Sequence, residues 1–260
     1  MKKIAIILFG VAFYQCNIKE KKVKNDLVRF VNNSSTMENT ISLSTECFFK
    51  KQKTYYPLDV VLVELKDNLQ DIQYRYISRI VGIPGDTVYI KGGEVYVNTL
   101  KVAHSSNAKF NFRILVKKAT EPMIAKYNLQ KALSGKEYNY EVTMTLLDSS
   151  LFKKEYGAEI ISMKRGFNER FNQTVLLNGK NNRGWDLDNF GPIIIPRKGA
   201  IIGNESVFFF NNLSENSMTD GSIIINKAYY FIVCDNFHDG NDSRDYGLIS
   251  EEQIIGVRVL

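Results

Sequence analysis

The run Thr87–Val97 restricts this chain more than any other stretch. Val88, Ile90, Val95 and Val97 alternate with Tyr89, Lys91, Glu94 and Tyr96, and Gly92-Gly93 lies at the centre. A period of two puts the aliphatic residues on one face of a strand pair. Two adjacent glycines accept the positive φ that a two-residue hairpin turn requires at both central positions. Pro84-Gly85, just ahead, carries the signature of a type II turn. A hairpin with one apolar face has to lay that face on another layer, so the expected architecture is mainly β.

Further strands are expected at Val60–Leu65 and Arg75–Gly82, and again at Ile193–Ile195, Val207–Phe210, Ile223–Ile225 and Tyr229–Val233. Between them, Met123, Ile124, Tyr127 and Leu133 fall near helical spacing within Glu121–Leu133, and Gly135 follows as a cap, which predicts a short helix. With 260 residues, 44 % of them hydrophobic, the chain can bury a substantial core. Residues 101–184 change character and read as an insertion, so the core is expected to comprise 29–100 and 185–260.

The formal charge is +6, but residues 1–26 hold six lysines against Glu20 and Asp26 and so carry +4 of it. The remainder is close to neutral and lacks the domain-wide basic surface of a nucleic-acid binder. Met1-Lys2-Lys3, the apolar run Ile4–Tyr14 and then Gln15-Cys16-Asn17 follow the three-part plan of a secretory signal over 1–15, with a tether over 16–28. Eleven helical residues reach about 16 Å, short of the roughly 30 Å of a hydrocarbon layer. Cys16 is then a lipid-acceptor candidate, and the other reading is a short membrane anchor or an uncleaved signal. Both place the folded part outside the cytoplasm, held at a membrane.

Outside the cytoplasm, Cys47 and Cys234 either pair or stay as two buried thiols. His104 and His238 are far apart and no Cys or His spacing suits a metal, so no metal and no cofactor are expected.

Three segments together resemble the type I signal peptidases, serine endopeptidases of family S26 that remove signal peptides from exported proteins. "FVNNSSTMENTI" (Phe30–Ile41) is similar to that family's Phe-x-x-Pro-Ser-x-Ser-Met-x-Pro-Thr-Leu. "YISRIVGIPGDTV" (Tyr76–Val88) is similar to Tyr-Ile-Lys-Arg-x-x-Gly-x-Pro-Gly-Asp-x-Val. "CDNFHDGNDSRDYGLISEEQIIG" (Cys234–Gly256) is similar to Gly-Asp-Asn-Arg-x-x-Ser-x-Asp-Ser-Arg-x-x-Gly with an acidic stretch and a final Ile-x-Gly. "YPLDVVLV" and "NFGPIIIPRKG" (Asn189–Gly199) also resemble stretches of the family. The resemblance implies a coiled β-sheet core of the signal-peptidase and LexA kind, with 101–184 as a smaller inserted α+β or β domain. It also implies an extended peptide or preprotein segment, or an envelope protein, as partner, bound as an added strand.

That family's chemistry takes a serine nucleophile before the Met and a lysine base before the Arg. The resemblance puts these at Thr36 and Ser78, so both have changed. An unactivated serine hydroxyl has no useful basicity at neutral pH, and Ser78 is too short to reach across a site. Ser34 matches a hydroxyl lining the oxyanion hole and Met37 packs near the peptide cleft. Arg79, Asp235, Asn236, Asp242, Ser243 and Arg244 match the loop that braces the site. Gly240 stands where the family has a serine bonded to the lysine, and Phe237 where it has an arginine. The expectation is a peptide-binding pseudoenzyme, inactive or strongly impaired; the alternative is an active endopeptidase with Thr36 as nucleophile. His238, Lys91 and Glu38 read as surface groups, and Trp185 as core or rim.

Overall fold

The computed structural model describes residues 26–38, 40–67, 72–102, 106–131, 139–162, 185, 188–203, 210, 217–219, 221–237 and 240–259. The signal sequence, Cys16, His104, Gly135, most of the Val207–Phe210 run and His238 lie outside them.

In chain order the elements are β1 (Leu27–Val31), a 3-10 turn (Ser35–Met37), β2 (Glu46–Lys50), β3 (Val60–Asp67), β4 (Ile72–Gly82), β5 (Thr87–Lys91), β6 (Glu94–Val97) and β7 (Leu100–Lys101). Then follow β8 (Lys109–Leu115), α1 (Glu121–Tyr127), β9 (Gln130–Lys131), β10 (Asn139–Thr145), α2 (Leu146–Tyr156), β11 (Glu159–Ser162) and β12 (Phe190–Ile194). The chain closes with β13 (Ile201–Gly203), β14 (Ser217–Thr219), β15 (Ser222–Ile224), β16 (Tyr229–Val233), α3 (Ser243–Tyr246), β17 (Ile249–Ser250) and β18 (Ile254–Val259). The protein is mainly β, as its sequence leads one to expect.

A seven-stranded antiparallel sheet in the order β1-β2-β18-β3-β4-β16-β17 is the frame. The C-terminal strand β18 is inserted between β2 and β3, so both ends of the chain are needed to complete it. β4 pairs with β3 over Ile72–Arg79 but with β16 only from Arg79 onward. Its Ile72–Ser78 half therefore has one strand neighbour among the described residues.

The hairpin forms as read. β5 and β6 pair with Lys91 opposite Glu94 and Ile90 opposite Val95, around Gly92 (φ 58°) and Gly93 (φ 82°). Val88, Ile90 and Val95 are buried, while Tyr89 and Tyr96 stack on the other face with ring centroids 4.8 Å apart. The aliphatic face packs with a second, four-stranded sheet, β11-β8-β10-β9. Val88, Ile90 and Val95 share one continuous buried cluster with Phe110, Phe112, Ile114 and Val142. The strict alternation of buried and half-buried residues along β8 shows why that strand forms: one face meets the core and the other meets water.

The Glu121–Leu133 helix is corrected. It spans Glu121–Tyr127 only, because Asn128 adopts a left-handed conformation (φ 51°) that ends it, and Gln130-Lys131 then pair with β10. Asparagine tolerates this region better than most residues, so the cap falls seven positions ahead of the glycine chosen from sequence.

Candidate active site

Thr36 sits in the 3-10 turn after β1. The turn is anchored from below by Met37, which is fully buried beside Phe30, Ile41, Phe49, Leu62, Ile77 and Cys234. Ile41 N–H donates to Met37 O at 2.8 Å, and Asn32, itself buried, donates its amide to Ile41 O and Ser42 O. From the other side Asn236 N–H donates to Thr36 O at 2.8 Å and Asn236 Nδ2 to Ser35 O at 3.2 Å. The turn is thus fixed by hydrogen bonds from both chain ends, and Thr36 keeps its side chain half-exposed. Its Oγ1 lies 2.8 Å from Ser34 Oγ and donates to Ile77 O at 3.2 Å, on the half of β4 that lacks a second strand.

Ser78, one residue along β4, is fully buried. Its Oγ donates to Val233 O at 2.8 Å. The hydroxyl proton is therefore committed to a backbone carbonyl, and among the described residues no basic group bonds to either hydroxyl. Thr36, in the turn, and Ser78, on β4, are linked through Ile77, whose carbonyl accepts from Thr36 Oγ1.

The loop after β16 braces this arrangement with two ion pairs of different character. Arg79 Nε and Nη2 grip Asp235 at 2.9 and 2.7 Å, and Asp235 also accepts from Thr40 Oγ1 at 2.5 Å. Deeper in, Asp242 caps the short helix α3 through Arg244 N–H, while Asp245 accepts from Asp242 N–H in a reciprocal capping box. Arg244 Nε and Nη2 bond Asp242 at 2.8 and 2.7 Å, Nη2 also bonds Phe237 O, and the guanidinium lies 3.8 Å over the Phe237 ring. Burial alone would lower the Arg244 pKa; the Asp242 charge and its hydrogen bonds outweigh that and raise it above the usual arginine value. Ser243 Oγ accepts from Ile232 N–H at 2.9 Å, which ties α3 to β16.

Cys47 and Cys234 are separate buried thiols. Cys234 Sγ lies 3.4 Å from Asp242 Oδ2 and from Asn236 O. A Cβ built on Gly240 would come within 2.3 Å of that sulfur. The thiol fills the volume a side chain at 240 would need.

A family model described as "Signal peptidase, peptidase S26" matches residues 6–260. The chain belongs to the signal peptidase S26 family. No curated protein matches it. On the resemblance described above, Cys234 stands where the family pattern has a glycine and Gly240 where it has a serine. No helix among the described residues is long and apolar enough to cross a membrane.

Two site-forming residues carry no sequence signal. Lys109 opens β8; its N–H donates to Asp235 O at 2.8 Å and its carbonyl accepts from Phe237 N–H at 3.1 Å. Its Nζ lies 3.4 Å from Glu38. Asn32 is the other, a buried amide whose loop partners lie nine and ten residues away. Phe237 packs its ring 5.6 Å from Phe110 of β8 and so joins the site loop to the second sheet. Trp185 is half-buried and packs 5.3 Å from Phe190, at the rim of the core.

Proposed function

We propose that this S26 protein binds extended peptide or preprotein segments at the outer side of a membrane and is catalytically inactive or strongly impaired. One observation carries the reading: Ser78, in the position of the family's base, is buried with its only proton donated to Val233 O. Amide cleavage needs a group that accepts the nucleophile's proton. A donor already spent on a carbonyl is no such group. Loss of one member of a catalytic unit of this kind costs on the order of 10⁴- to 10⁶-fold in rate.

Binding does not depend on that proton. The Ile72–Ser78 half of β4 offers backbone groups to an added strand next to Thr36, and Ser34 Oγ remains at the same place. The surrounding brace of Asp235, Arg79, Asp242 and Arg244 is complete. We take residues 29–100 and 185–260 as the family core and 101–184 as its inserted part. Lipid attached at Cys16, or a short N-terminal anchor, would hold the protein at the membrane.

The alternative, an active endopeptidase with Thr36 as nucleophile, needs a base that the motifs do not contain. Lys109 is an amine that the fold brings beside the Thr36 turn, with its Nζ 3.4 Å from Glu38. The deciding experiment incubates the purified full-length protein with an exported preprotein. No cleavage is expected from the wild type, and gain of cleavage is expected when Thr36→Ser and Ser78→Lys are combined with Cys234→Gly and Gly240→Ser. Wild-type cleavage that disappears in both Thr36→Ala and Lys109→Met would establish the alternative. Intact mass of the membrane-extracted protein reports a diacylglycerol adduct at Cys16.

A further inference from the structure

A groove leaves the Thr36 turn and runs across the second sheet. Its near part, of about 380 Å³, is lined by Glu38 and Asn236 from the site and by Lys109, Asn111 and Thr143 from β8 and β10. Its far part, of about 720 Å³, reaches Asp148 and Leu151 of α2. Lys109, Tyr127 and Thr143 line both, so the two are continuous. Asn236 is the link to the site: its N–H and Nδ2 hold the Thr36 turn, while its Oδ1, on a residue 3 % exposed, has no hydrogen-bond partner among the described residues. A buried acceptor left unpaired carries a desolvation penalty that a donor arriving in the groove removes.

We propose that this groove is a second subsite for the polypeptide that enters the Thr36 cleft, holding in extended form the segment that leaves the cleft past Asn236. A backbone N–H of that segment donates to Asn236 Oδ1. The near part favours polar residues, since Glu38, Lys109, Asn111 and Thr143 present carboxylate, ammonium, amide and hydroxyl groups. Leu151 at the far part takes an aliphatic side chain. The occupant is argued from continuity, because one residue, Asn236, belongs both to the loop that fixes Thr36 and to the wall of the groove. The inference rests on the peptide-binding reading above and assigns to β8, β10 and α2 a role in ligand selection.

The test uses the full chain and two fluorescent peptides, measured by anisotropy. Both carry the same Ala-x-Ala-ended signal-peptide segment. The long one continues for about eight residues, polar with one leucine near the end and roughly 27 Å when extended; the short one stops at the junction. The long peptide is expected to bind at least about tenfold more tightly, and Thr143→Arg, an exposed substitution at the junction of the two parts, is expected to remove that advantage while leaving the short peptide unchanged. Equal binding of the two peptides, or equal effects of Thr143→Arg on both, overturns the groove and leaves the peptide-binding reading intact. Binding of neither peptide overturns the peptide-binding reading, and the groove with it.

Discussion

Single buried polar atoms decide much of the chemistry here. Ser78 and Tyr76 lie on the same strand, yet one hydroxyl is satisfied by Val233 O while Tyr76 OH is buried with no partner among the described residues. Burial drives the Tyr76 pKa well up, with neighbouring Tyr246 and Asp242 adding to it, and burial pushes Tyr55 up to about 12. The folded chain then holds these protons after the unfolded chain, titrating near pH 10, has released them. Stability from these groups is therefore fully present below about pH 10 and falls as pH rises beyond it. Tyr76→Phe is expected to raise stability at neutral pH by about 1 kcal/mol, since it removes an unpaired buried hydroxyl. It should also flatten the alkaline decline. Urea denaturation of wild type and variant at pH 7 and pH 11 checks both, and a loss of stability at pH 7 would show that the hydroxyl has a partner.

At the scale of elements, the loop from Cys234 to Gly247 is the most interlocked part of the site. Arg244–Asp242 and Arg79–Asp235 are ion pairs held in its interior, and such pairs serve geometry more than stability, because desolvation offsets much of their attraction. Its packing is tested by the exchange at 234 and 240. Gly240→Ser alone drives a Cβ to 2.3 Å from Cys234 Sγ and 3.0 Å from Cys234 Cβ. It is expected to cost about 1–3 kcal/mol by overpacking. Combined with Cys234→Gly, which removes both atoms, most of that cost should return, giving a coupling energy of about 1 kcal/mol or more in a double-mutant cycle. Additive effects would mean that the two sites relax independently. The helix α1 teaches a related lesson from the opposite direction. Its apolar spacing continues past Tyr127, but Asn128 turns left-handed and the chain joins β10 through Gln130 and Lys131. Pairing to a sheet edge outweighed helical spacing that local periodicity registers but cannot rank.

Over the whole molecule, the second sheet is built into the site. Lys109 hydrogen-bonds on both sides to the Asp235–Phe237 loop, and Phe110 shares a core with the hairpin and with Phe237. Deleting residues 103–184 and joining the ends with a short Gly/Ser linker is accordingly expected to abolish cooperative thermal unfolding, read by circular dichroism, through exposure of Val88, Ile90 and Phe237. A deletion protein that melts sharply would show that the frame folds without its partner sheet. By itself the sequence determined the hairpin, three strands of the frame (β3, β4 and β16), the glycine turns and the places of Thr36, Ser78, Asp242 and Arg244 along the chain, because those rest on local period, turn stereochemistry and short motifs. Only the tertiary structure decided where the Ser78 proton goes, that Cys234 occupies the space beside Gly240, and that Lys109 and Asn236 join the cleft to a groove. Those facts depend on contacts between residues more than a hundred positions apart or on the volume left inside a packed loop, and no local pattern encodes either.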